Sequence, residues 1–108
     1  MEDGYTTRET AKRKIRGFPL QRQAIAKKDI ENRDYITTEL VPIFEIESGY
    51  YQMQVNYKIR LEDGYIYGKA PCLDDFVKMH EAAQRGEVFT ILYLAQSRII
   101  LEIEERDD

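Results

Sequence analysis

The chain has no tryptophan, one cysteine and one histidine in 108 residues. Each scarcity removes a class of chemistry. With Cys72 alone no disulfide can close within the chain, which fits a reducing, cytoplasmic setting. One cysteine and one histidine do not make a tetrahedral nitrogen–sulfur metal site, so neither a metal nor a cofactor is expected. No phosphate-binding glycine loop and no nucleophile–base constellation can be read in the sequence. No apolar run approaches the roughly 18 residues of a membrane span, and no membrane contact is expected. The first residues are polar and acidic, so no signal peptide is expected either.

What is present reads as a globular chain. Hydrophobic residues make up 43% and charged residues 33%. The length fits one domain over residues 1–108 with a modest core. The net charge of −4 hides an asymmetry. Residues 1–33 hold nine Lys/Arg against five Asp/Glu, and the rest hold seven against fifteen. A basic arm on an acidic body implies nucleic acid, an acidic partner, or an arm lying on its own body.

The clearest pattern runs over residues 51–62. Tyr51, Met53, Val55, Tyr57, Ile59 and Leu61 are apolar, and the six residues that alternate with them are polar. Period two marks a strand with one buried and one wet face. Ser48-Gly49 before it predicts a tight hairpin, with Ile46 facing Tyr51, Phe44 facing Met53, Pro42 facing Val55 and Leu40 facing Tyr57. Pro42 makes that first strand an edge, because proline has no N–H for a ladder. Asp63-Gly64 after it predicts a second hairpin, pairing Leu61 with Ile66 and Arg60 with Tyr67.

Residues 1–35 read as a basic, weakly helical segment. Thr6 and Glu9 fit a capping box, opening a helix to Arg16 that ends on a left-handed Gly17. Pro19 starts a second helix to about Arg33. Neither has a clean apolar stripe, so both need outside contacts. Residues 36–108 form the sheet-and-helix body. A helix over 73–85, capped at Cys72 or Ala70 and ended by Gly86, puts Leu73, Phe76, Val77, His80 and Ala83 on one face. Asp74–Lys78 and Glu81–Arg85 are spaced for ion pairs. A last hairpin joins 88–94 to 99–105 around Gln96-Ser97. Its strands are apolar on both faces, so both must be covered. The helix covers one face. The other, carrying Phe89, Ile91, Tyr93 and Ile100, needs the N-terminal segment or another chain.

Among candidate sites, His80 lies on the apolar helix face, where a packed histidine is the plainer reading and a burial-tuned base the chemical one. Cys72 sits near a helix start, but Asp74 and Asp75 oppose a thiolate. It is about 12 Å along the axis from His80, too far for a dyad within one helix. The acidic end, Glu102, Glu104, Glu105, Asp107 and Asp108, reads as solvated surface. Tyr65 and Tyr67 beside Arg60 and Lys58 interleave aromatic and basic side chains on the wet face, as protein hot spots and single-strand platforms both do. Lys12, Arg13, Lys14 and Arg16 are the densest basic cluster.

The expected fold is α+β: a mostly antiparallel sheet of about five strands with one well-defined helix on a face. The expected function is a small non-enzymatic regulator or adaptor acting by protein–protein contact, as a homodimer that also meets an unknown protein. Its expected contact residues are Arg60, Tyr65, Tyr67, Phe89, Ile91, Tyr93 and Ile100. The alternative is a nucleic-acid-binding regulator using Lys12, Arg13, Lys14, Arg16, Lys58 and Arg60.

Overall fold

The computed structural model describes residues 4–51 and 54–106. The elements are α1 (Gly4–Lys14), a 3₁₀ turn (Ile15–Gly17), α2 (Leu20–Asn32), β1 (Tyr35–Leu40), β2 (Phe44–Tyr51), β3 (Gln54–Leu61), β4 (Gly64–Ala70), α3 (Leu73–Gln84), β5 (Phe89–Leu94) and β6 (Ile100–Glu105). The class is α+β with antiparallel sheets, as expected. Instead of one sheet there are two of three strands, ordered β1-β5-β6 and β2-β3-β4.

Pro42 marks the corner between them. The strand expected through Leu40, Pro42 and Phe44 breaks at residues 41–43, and its halves join different sheets. A proline cannot donate to a ladder, so it suits the point where the chain leaves one sheet for the other. The Ser48-Gly49 hairpin is also corrected. β2 runs through these residues to Tyr51, and its register is Phe44↔Ile59, Ile46↔Tyr57 and Tyr51↔Gln54, with irregularities on either side of Ser48. The expected partner Met53 lies outside the described residues.

In β3 the alternation holds. Val55, Tyr57 and Ile59 are buried, whereas Gln54 and Arg60 are exposed. Gly64 has the positive φ expected of the turn, +132°. The ladder, however, is set by Leu61↔Gly64, Arg60↔Tyr65 and Ile59↔Ile66, two places from the expected register. A two-place slip preserves the side-chain parity, so Ile66 still joins the buried face.

The two sheets face each other across a core that includes Phe44, Tyr57, Ile59, Ile66, Phe89 and Ile91. Phe44 sits at its centre, edge-on to Tyr57 at 5.5 Å, Phe76 at 5.7 Å and Phe89 at 6.0 Å. Edge-to-face contact lets the positive ring edge meet a negative face. α3 supplies Phe76, Ala82 and Ala83 to this core. Its buried face is rotated from the expected one: Leu73 and Val77 are exposed and His80 is half-buried. Gly86 ends it at φ +84°, as expected, while Arg85 pairs with Glu87 and not with Glu81.

A second core lies on the other side of the β1-β5-β6 sheet. Ala11, Ile15, Ala26 and Ile30 of the N-terminal helices cover Leu94, Ile99 and Leu101. This is the outside contact those two helices needed. α1 begins at Gly4, which places Thr6 inside the helix and not at its cap. Gly17 closes the 3₁₀ turn without a positive φ, and Arg33 is the left-handed cap of α2 at φ 56°. Among the described residues no helix is long and apolar enough to cross a membrane.

Candidate functional site: the cleft where the sheets part

The two sheets touch edge to edge at one point. Tyr67 of β4 and Ile99, just before β6, form an isolated parallel bridge, with the Tyr67 N–H donating to the Arg98 carbonyl at 2.7 Å. Side chains lock this end. The Arg98 guanidinium donates to both carboxylate oxygens of Asp63 at 3.1 and 2.7 Å, and its Nε donates to the Tyr65 carbonyl at 3.0 Å. That fork ties the β5–β6 turn to the β3–β4 turn and holds the Asp63 carboxyl below its ordinary pKa. From α2, Asp29 accepts from the Ser97 N–H at 2.8 Å and the Gln96 N–H at 3.1 Å. Arg22 donates to the Ser97 carbonyl at 2.8 Å and lies 4.1 Å over the Tyr67 ring.

Beyond the bridge β4 and β6 separate, and a cleft of about 610 Å³ opens between them. β6 forms one wall, α1 and α3 flank it, and Tyr57, Lys69 and Ala70 reach it from the β2-β3-β4 sheet. Gly68 makes room for the Tyr57 ring. A Cβ there would stand 2.6 Å from Tyr57 Cζ. The ring is 2% exposed, and its hydroxyl has no hydrogen-bond partner among the described residues. Burial pushes its pKa up, so the hydroxyl stays protonated and able to donate.

Lys69 is the second fixed group. Its Nζ donates to Asn56 Oδ1 at 2.6 Å and sits 5.0 Å over the Phe18 ring. Burial lowers its pKa. Lys14 and Lys78 add cations, and Asp75, Glu102 and Glu104 add carboxylates, around a partly apolar lining with Phe18 and Met79. On the cleft side β6 has no strand neighbour among the described residues past the bridge. Its backbone edge is open there for pairing.

The expected site residues separate into three places. Arg60 and Tyr65 do meet on the wet face: Arg60 Nη2 donates to Glu45 Oε2 at 3.1 Å, and Lys58 Nζ lies 4.4 Å over the Tyr65 ring. Tyr67 lies beside them on the same face, opposite Lys58 in the ladder, and is capped by Arg22. Phe89, Ile91, Tyr93 and Ile100 are 2%, 0%, 5% and 6% exposed. The expectation that another chain or the N-terminal segment covers them is corrected: the β2-β3-β4 sheet does, so they are core. In the basic cluster, Lys12 and Arg16 line a groove between α1 and α2, Lys14 turns toward the cleft, and Arg13 is exposed.

His80 stacks on Phe76 with ring centroids 6.0 Å apart and planes 10° from parallel. Cys72 is the N-cap of α3, half-buried, with no side-chain capping bond. Among the described residues no group of three His, Cys, Asp or Glu is placed to hold a metal ion. Tyr57 and Lys69 were missed as site residues because in sequence they are ordinary members of alternating strands. Only Gly68, a glycine inside a strand, signals a close approach there. Comparison with known protein families, with curated proteins and with solved structures finds no match.

Proposed function

We propose that the chain is a small, non-enzymatic regulator or adaptor that works by protein–protein contact, and that the contact is an extended partner segment laid along the free edge of β6. The observation that carries this reading is the β6 edge, open among the described residues, standing beside a Tyr57 hydroxyl that has no partner among them, in one cleft. An added strand satisfies the edge by main-chain hydrogen bonds, and flanking side chains then select its sequence. Tyr57 and Lys69 offer fixed donors for carbonyl or carboxylate groups, while Phe18 and Met79 offer apolar contact. Arg60 and Tyr65 on the outer face form a second, flatter contact surface. The single unpaired Cys72 suits a reducing compartment such as the cytoplasm.

This reading takes a different chain as the partner. The homodimer drew its force from an uncovered apolar face, and that face is covered within one chain. The test uses peptides selected against the full chain from a random displayed library. A bound peptide should slow amide exchange over residues 101–105 and leave β1, the opposite edge of the same sheet, unchanged. Tyr57→Phe should weaken binding by about tenfold, the worth of one buried hydrogen bond. Protection confined to β1 or to the strands around Arg60, or failure to select any peptide, would overturn the proposal.

A further inference from the structure

A second concave surface lies between α1 and α2, where α1 turns Arg8 and Lys12 away from the cleft that its Thr10 and Lys14 line. It encloses about 650 Å³ and is lined by Arg8, Lys12, Arg16 and Lys27, with Glu31 the one carboxylate. None of the four cations makes an ion pair or side-chain hydrogen bond among the described residues. They contrast with Arg60, Arg85, Arg98 and Arg106, each of which faces a carboxylate. Arg8, Lys12 and Arg16 follow one another at four-residue intervals, about 6 Å per step along a helix. Cations near a helix C-terminus favour its dipole, which accounts for Lys12. That does not account for Arg8, one turn before Lys12, or for Lys27 on the other helix.

We infer that this groove holds the sugar–phosphate backbone of a single nucleic-acid strand, with Arg8, Lys12, Arg16 and Lys27 as its phosphate contacts. A row of unpaired cations fits a ligand whose charge repeats along its length. The two guanidinium forks match phosphate oxygens bidentately. The volume is that of a drug-sized pocket, which takes a stretch of one strand and not a duplex. A flat bilayer does not enter a concave groove whose apolar floor, Ile15 and Ile30, is 3% exposed at each residue. Among the described residues no aromatic side chain lines the groove, so its contacts are to the backbone, and binding follows the backbone with little sequence preference. The acidic body repels phosphate and confines the strand to the helical side.

The experiment is fluorescence anisotropy of the full chain with labelled thymidine and uridine oligonucleotides, from low salt to about 200 mM. The expected result is comparable affinity for both, with log K falling against log salt at a slope of about 3, four phosphates at about 0.7 each. Lys12→Glu with Arg16→Glu should weaken binding at least about tenfold, whereas Lys58→Glu, on the outer face of the other sheet, should leave it unchanged. If the double reversal melts early, Lys12→Gln with Arg16→Gln replaces it, and the slope should drop by about 1.4. No anisotropy change at low salt, or an equal loss from Lys58→Glu, overturns the inference. Displacement of the oligonucleotide by polyglutamate or by phosphatidylserine vesicles at lower charge concentration than by unlabelled oligonucleotide also overturns it.

Discussion

The two sheets are equal in strand number and opposite in exposure. The β2-β3-β4 sheet buries one face and wets the other, so β3 shows Val55, Tyr57 and Ile59 inside and Arg60 outside. The β1-β5-β6 sheet is covered twice, by the other sheet and by α1 and α2, and β5 is buried or half-buried at every position. A strand with one wet face prints a period of two in its sequence, whereas a strand covered on both faces prints an apolar run. The run says that two covers exist without naming either. Naming the wrong one turned core residues Phe89, Ile91, Tyr93 and Ile100 into an expected interface.

The sharpest break of that comparison is Ile91→Glu. Ile91 is 0% exposed at the centre of the doubly covered sheet, so an unpaired carboxylate there should cost roughly 3–5 kcal/mol. The expected outcome in circular dichroism is loss of the fold, not a folded monomer. Gly68→Ala tests whether the inner face of the other sheet is as tightly packed. With a Cβ 2.6 Å from Tyr57 Cζ, the ring must move, and a loss of about 2–3 kcal/mol is expected by chemical denaturation.

Asp29→Ala probes the helical cover of the doubly buried sheet. It leaves the Gln96 and Ser97 N–H groups without their acceptor, for about 2 kcal/mol, and amide exchange at both residues should quicken. Gly64→Val is a smaller effect on the half-wet sheet. Nothing lies within 4 Å of the added Cβ, so only the positive φ resists it, at about 1–2 kcal/mol. Arg60→Ala, on the wet face, should leave the melting temperature unchanged, because its pair with Glu45 is solvent-screened. A clear fall in melting temperature there would show that the outer face is not simply wet.

Much of the element list was legible from local chemistry. Pro19 before α2, Cys72 before α3 and Gly86 after it, and the positive φ at Gly64 all follow from what those residues do to a backbone. Less of the register was. Gly64 requires a turn, yet the turn closes on Leu61↔Gly64 one residue earlier than the Asp63-Gly64 signal implies. Ser48-Gly49 carries the composition of a turn, yet it is paired in β2, with Ser48 opposite Asn56. Long-range pairing decides between such local options, since one ladder satisfies many backbone groups at once.

The candidate site was the least legible part. Tyr57, Gly68 and Lys69 belong to two paired strands, Lys14 and Phe18 lie some forty or more residues earlier, and Glu102 some thirty later. Apart from Gly68, none stands out among its sequence neighbours, and only the separation of β4 from β6 brings them together. Local chemistry settled where α2 and α3 begin, where α3 ends, which face of β3 is dry, and that β5 is covered twice, because backbone freedom and hydrophobic period are local properties. The tertiary structure alone decided that Pro42 divides one strand between two sheets, that the second sheet is the missing cover, and that a strand edge stays open beside Tyr57. Those outcomes depend on how separated segments share the burial of apolar surface, a choice made over the whole chain and not at any one position.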